Sequence, residues 1–187
     1  MDMTAQYLSA KVLGSTIEFG CGVVNNVAQH VKQFGGSKPL IVSDKGVAEA
    51  GITDKVVQLL EASDIEYVIF DNVQPNPTDR TAMEAVGVYR SAGCDLIIGL
   101  GGGSPMDVAK AVTVLANHTG HIGEYYDQWI TEGNPPLISI PTTSGTGSEV
   151  STGGIITNTN ENRKRVIRSG PPALALAVLP MPALLPP

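Results

Sequence analysis

The sequence has few of the residues that build disulfides, metal centres or nucleic-acid surfaces. It holds 2 cysteines and 3 histidines in 187 residues. Cys21 and Cys94 stand far apart and in no metal-like spacing, which excludes a disulfide scaffold and fits a reducing, cytoplasmic setting. Basic residues are also scarce: 12 Lys and Arg face 18 Asp and Glu, for a formal net charge of −6, and the longest basic run is Arg163–Arg165. Such a surface repels a polyanion, so nucleic acid is not an expected partner. No membrane span is expected either. The charge-free PPALALAVLPMPALLPP at 171–187 is shorter than the ~20 residues a spanning helix needs, and its prolines would break one. The N-terminal MDMTAQYLSAK lacks the ordered basic, apolar and cleavable regions of a signal peptide.

Glycine, in contrast, is abundant, with 21 residues, and much of it gathers in two places. Between those places, strand-like and helix-like segments alternate. KPLIVSD (38–44), EYVIFD (66–71), CDLIIGL (94–100) and PLISIPTT (136–143) are short apolar runs of the kind that form buried parallel strands. Helical repeats fill residues 46–62, 81–93 and 104–117, and a further helix is expected over 23–35. KVLGSTIEFG (11–20) reads as one edge strand, and GGIITN with RKRVIR as a β-hairpin. The pattern predicts an α/β fold: a Rossmann-like parallel sheet with helices on both faces, an N-terminal edge strand and a C-terminal β-hairpin. Residues 1–168 form the expected domain, and 169–187 read as a Pro-rich apolar tail. Left uncovered, that tail would pack back on the sheet or drive self-association, including a homodimer.

The first glycine cluster, GLGGGSPMDVAK (99–110), lies between a strand and a helix. Ser104 suits the N-cap, Pro105 the first turn, and Asp107 the third position of a capping box. Open N–H groups at such a helix start attract an anion, and glycines let a phosphate approach the backbone. The plain alternative is a flexible turn. The spacing is not the usual dinucleotide fingerprint, because Ser104 stands at the third glycine position. The candidate acid, Asp44, also lies far upstream of the cluster rather than about 20 residues downstream. Asp44, at the end of an earlier strand, reaches a shared crevice if the two strands are neighbours; otherwise it is an ordinary helix cap. The second cluster, PTTSGTGSEVS (141–151), also follows a strand and offers hydroxyls to a phosphate or a nicotinamide amide, or is simply a polar loop. His118, His121 and Glu124 have helical metal-ligand spacing, but Gly120 and Gly123 interrupt it, so a solvated loop is the better reading. His30 reads as structural.

These motifs resemble the iron-containing (group III) alcohol dehydrogenases. The resemblance rests on GGGSPMDVAK, IPTTSGTGSEV, FGCGVVNNV, LIVSDKGV (40–47), QPNPT (74–78) and IITN (155–158), in order from residue 7 to about 168. Glycerol dehydrogenase and dehydroquinate synthase share that fold, and PTTSGTGSEV is closer to the alcohol dehydrogenases. The resemblance implies an N-terminal domain that binds NAD(P) and a helical domain that supplies most of an Fe²⁺ or Zn²⁺ site. It sets Asp44 near the adenine ribose, favouring NAD over NADP, and Gly101, Gly102, Gly103 and Ser104 at the pyrophosphate with Asp107 beside them. Thr142, Thr143, Thr146 and Ser148 would line the cofactor, and Asn76 and Lys164 match further positions near the nucleotide. The family's metal ligands follow a segment that AVLPMPALLPP resembles, with Leu179 where its aspartate is expected, so no metal ligands are expected here. Full-length relatives would act on small alcohols and aldehydes. This chain is expected to bind the cofactor and to be inactive alone; the rival reading is a non-catalytic nucleotide-binding or interaction module.

Overall fold

The computed structural model describes residues 8–12, 14–170 and 174–178. Its main sheet has seven strands: β1 (Leu8–Val12), β2 (Ser15–Gly20), β3 (Pro39–Val42), β4 (Val68–Phe70), β5 (Leu96–Gly101), β6 (Leu137–Pro141) and a last strand, Leu174–Val178. Two more, β7 (Gly153–Asn158) and β8 (Arg163–Arg168), form a separate antiparallel hairpin, so the last strand is β9. Across the sheet the order is β1-β2-β9-β6-β5-β3-β4, antiparallel only between β1 and β2. The helices are α1 (Val27–Gln33), α2 (Lys45–Glu49), α3 (Ile52–Glu61), α4 (Asp79–Ala92) and α5 (Gly103–Leu115).

Side-chain alternation along the parallel strands explains the two-sided core. Leu40 and Val42 of β3 and Ile97 of β5 face α4 and α5, where Ala85, Val86, Val108 and Val112 cover them. Ile41, Leu96, Ile98 and Leu100 face the other way, onto Val27 and Val31 of α1 and Val56 and Leu60 of α3. Strands apolar on both faces read as continuous hydrophobic runs, and this is why β3, β5 and β6 were legible. The expected α/β architecture, with helices on both faces and a C-terminal hairpin, is the one observed. Among the described residues no helix is long and apolar enough to cross a membrane.

Four local expectations are corrected. The segment 11–20 contains not one edge strand but a hairpin whose outer strand, β1, forms the edge. Residues 46–62 are two helices, because the chain turns at Gly51 with φ +70. The helix expected over 23–35 begins with a 3-10 turn, Val23–Asn26, before α1. The division at residue 168 falls inside the sheet: β9 lies between β2 and β6, and Leu174, Ala175 and Leu176 are buried. A strand covered on both faces has no polar alternation, so LALAV among prolines gave no strand signal. The rest of the tail, 171–173 and 179–187 with Leu179, lies outside the described residues.

The β7–β8 hairpin packs on α5 at very short range. A Cβ at Gly154 would sit 2.7 Å from the Asp107 carbonyl oxygen and 3.0 Å from its Cα, both backbone atoms that cannot step aside. Gly154→Ala is therefore expected to lower stability by about 1–3 kcal/mol. Gly87, exposed on α4 with nothing within 4 Å of its Cβ position, is the opposite case. Gly87→Ala is expected to raise stability by roughly 0.5–1 kcal/mol through helix propensity. Urea unfolding of the two variants checks both signs.

Candidate functional site

The chain runs from β3 outward to β4 and then returns to place β5 on the other side of β3. Strand order reverses there, and the crevice beyond the carboxyl ends of β3 and β5 is where open α/β sheets bind ligands. A cleft of about 630 Å³ lies at that point. It is lined by Asp44 after β3, Asp71 and Asn72 after β4, Gly102, Gly103 and Ser104 after β5, and Thr142 and Thr143 after β6. Six residues expected at a cofactor thus converge: Asp44, Gly102, Gly103, Ser104, Thr142 and Thr143.

Asp44 caps α2, its Oδ1 accepting the Val47 N–H at 2.9 Å, so the helix-cap role coexists with a place in the cleft. Gly101 ends β5 at φ +143, where an L side chain is strained, and its absent Cβ would lie 2.8 Å from Pro105 Cγ. The start of α5 corrects the capping assignment. Gly102, not Ser104, is the N-cap, without a side-chain hydrogen bond, and Asp107 closes no capping box. The helix begins early because Gly102 is already extended (φ −80, ψ −162) and its carbonyl accepts the Met106 N–H at 3.5 Å. No side chain of the cap covers the first-turn amides, which leaves a positive helix end facing the cleft.

The hydroxyl loop stands across from this turn. A Cβ on Gly102 would come 3.4 Å from Thr143 Oγ1, and one on Gly103 3.6 Å from Ser148 Oγ and 3.8 Å from Thr146 Cβ. A Cβ at either position would make ordinary van der Waals contact with the loop and narrow the gap between it and the helix. The loop is tied to β5 by the Thr142 N–H, which donates to the Gly101 carbonyl at 2.9 Å. Ser148 Oγ lies 3.3 Å from Asp107 Oδ1 and donates to it. Burial raises the Asp107 pKa above its ordinary value, opposed by Lys110, the Ile155 N–H, Ser148 and Lys164.

Asn76 and Lys164 do not join the cleft lining. They pair with each other, Lys164 Nζ donating to Asn76 Oδ1 at 2.8 Å, with Asn76 in the left-handed region at φ 56. The other histidines serve local structure. His121 Nδ1 accepts the Gly123 N–H while Glu124 accepts the His121 N–H, a reciprocal cap on a 3-10 turn. His30 meets Glu18 at 3.1 Å, both buried. Among the described residues no three His, Cys, Asp or Glu side chains converge on a metal position.

Two features escaped the sequence reading. Asp71 and Asn72 reach the cleft, and the signal of Asp71 was like that of Asp44: an acid at the end of an apolar strand. Lys110 was the other. It is fully buried on α5, with Nζ donating to Ser151 Oγ at 2.7 Å and to the Gly153 carbonyl at 3.0 Å. Its signal was a lone cation in the apolar run VAKAVTVLA.

The family profile described as iron-containing alcohol dehydrogenase matches residues 14–179. The chain belongs to that family. It is 38% identical over 165 residues to a choline dehydrogenase of Bacillus subtilis (strain 168), covering 86% of this chain and 40% of the relative. A crystal structure of 1,3-propanediol oxidoreductase superposes with a TM-score of 0.83 at 35% identity, over 94% of this chain and 46% of that one. The sulfoacetaldehyde reductase of Bifidobacterium kashiwanohense, solved in complex with NAD+, gives 0.81 at 28% identity, over 91% and 46%. The chain thus spans about two fifths of the length of that curated relative.

Burial lowers the Lys110 pKa from 10.5 to about 8, partly opposed by Asp107 and Glu149. The folded state therefore releases this proton before the unfolded state does. Between about pH 8 and 10.5 the unfolded chain binds more protons, and stability from this group rises with pH. Relative to Lys110→Met, the wild-type protein should gain on the order of 2 kcal/mol between pH 7 and pH 10. Denaturant titrations of both proteins across that range check the sign.

Proposed function

We propose that this chain is the NAD(P)-binding part of an alcohol dehydrogenase that interconverts small alcohols with their aldehydes or ketones, and that it prefers NAD to NADP. The observation that carries the reading is the convergence of Asp44, the Gly102–Ser104 turn and Thr142–Thr143 on one cleft at the strand-order reversal. The residues fit a dinucleotide: a glycine cradle that any Cβ would begin to fill, an open helix start for a diphosphate, and a carboxylate one strand away. A relative solved with NAD+ and of the same fold supports the same cofactor class.

Each residue then has a task. Asp44 accepts from the ribose hydroxyls of the adenosine half and repels a 2′-phosphate, with Asp71 adding a second negative charge to the same wall. The first-turn amides of α5 and the Ser104 hydroxyl hold the diphosphate. Thr142, Thr143, Thr146 and Ser148 present hydroxyls to the remaining half. A nicotinamide bound there supplies acceptance of a hydride from the alcohol carbon. The described residues offer no fitting set of metal ligands.

Calorimetric titration tests the assignment. NADH is expected to bind saturably and more tightly than NADPH. Asp44→Asn keeps a good helix cap but removes the charge, and should narrow the NADH-to-NADPH affinity ratio by about tenfold. An unchanged ratio would remove Asp44 from the ribose site, and absence of NADH binding would overturn the cofactor reading.

A further inference from the structure

Lysine is almost never fully buried without partners, yet Lys110 is 0% exposed, between the sheet-facing residues of α5 and the start of β7. Its partners all belong to the hydroxyl loop or the strand that follows it: Ser151 Oγ and the Gly153 carbonyl. Ser151 Oγ also donates to the Gly153 carbonyl at 3.0 Å, so lysine, hydroxyl and carbonyl form a closed triangle. One turn earlier on the same helix face, Asp107 takes the Ser148 hydroxyl and the Ile155 N–H. The acidic Glu149, whose charge acts on Lys110, lies between these two anchor points. The other end of the loop is held by the bond from Thr142 N–H to Gly101. Between the two ends, Thr142 to Thr146 are exposed.

A methionine would fill this space without the expense of burying a charge, but it would remove the donor to the Ser151 hydroxyl and one of the two side-chain donors to the Gly153 carbonyl. The lysine is thus suited to fixing the loop, and its Nζ is shut off from the cleft by complete burial.

We propose that Lys110 is a positioning residue, which clasps residues 151–153 to α5 and, beside the Asp107 anchor on Ser148, holds Thr146 and Ser148 next to Gly103 for the half of the dinucleotide that lies beyond the diphosphate. This rests on the cofactor reading above. On that reading Asp44 takes the adenosine over β3, the α5 start takes the diphosphate over β5, and the other half lies over the next strand in the sheet, β6. Loss of the clasp should therefore weaken NADH and spare AMP.

The test compares wild type, Lys110→Met and Ser151→Ala by calorimetry with NADH and with AMP, and by amide hydrogen exchange. Lys110→Met is expected to bind NADH about tenfold more weakly and AMP within about twofold of wild type. Protection of amides in 144–152 should fall while those of β5 and α4 stay protected. Ser151→Ala should shift both readouts in the same direction by a smaller factor, and decides the matter if Lys110→Met does not fold. Equal loss of AMP and NADH, or unchanged NADH affinity, would overturn the proposal, as would unchanged loop exchange. If wild type binds neither nucleotide, the cofactor reading fails, and loop exchange alone still decides whether the clasp exists.

Discussion

The parallel pairing of β3 with β5, from Pro39–Leu96 to Val42–Gly99, is the contact on which the site depends. The connections leave these two strands toward opposite faces of the sheet, α2 and α3 to one side and α5 to the other. Two chain segments departing in opposite directions cannot cover the space between their starting points. The cleft is this uncovered space. It also explains why an acid so far upstream as Asp44 belongs with the glycine turn: the distance in sequence is taken up by β4 and α4, and the two strand ends are adjacent.

Around that crevice the chain supplies backbone more than side chain. Gly101 to Gly103 keep the approach clear, the start of α5 has no capping side chain, and the hydroxyls come from a loop with little regular structure of its own. Such a loop needs an external frame. Asp107 and Lys110 provide one from the same helix whose first turn faces the cleft, so the two walls share a single rigid element. Gly154, pressed on the Asp107 backbone, sets the distance between them.

Much of this was legible in the sequence, for identifiable reasons. β3, β5 and β6 are covered on both faces and read as uninterrupted apolar runs, and glycine clusters after two of them marked the side of the sheet where the cleft lies. The start of α5 was misjudged because Ser104 has the chemistry of a cap, whereas the helix begins where Gly102 and Gly103 allow backbone closure earlier. Lys110 was hidden because its partners are 41 and 43 residues away and one is a carbonyl, which every residue possesses. β9 was hidden by composition: Leu and Ala without polar alternation fit a buried strand and an apolar tail equally well.

The place of β9 has a consequence for how the chain is made. β2 pairs with β1 on one side and with β9 on the other, and β9 alone links the N-terminal hairpin to β6. A nascent chain emerging from the ribosome can assemble β3 to β6 as each strand appears, but the hairpin made first has no neighbour in the sheet until residues 174–178 emerge. Until then β6 and β2 both present unpaired edges, one lined by Ile138 and Ile140. Closure joins residues as far apart as Thr16 and Leu174, so it is the slow, long-range step expected of such a topology, and the interval before it leaves strand edges open to aggregation.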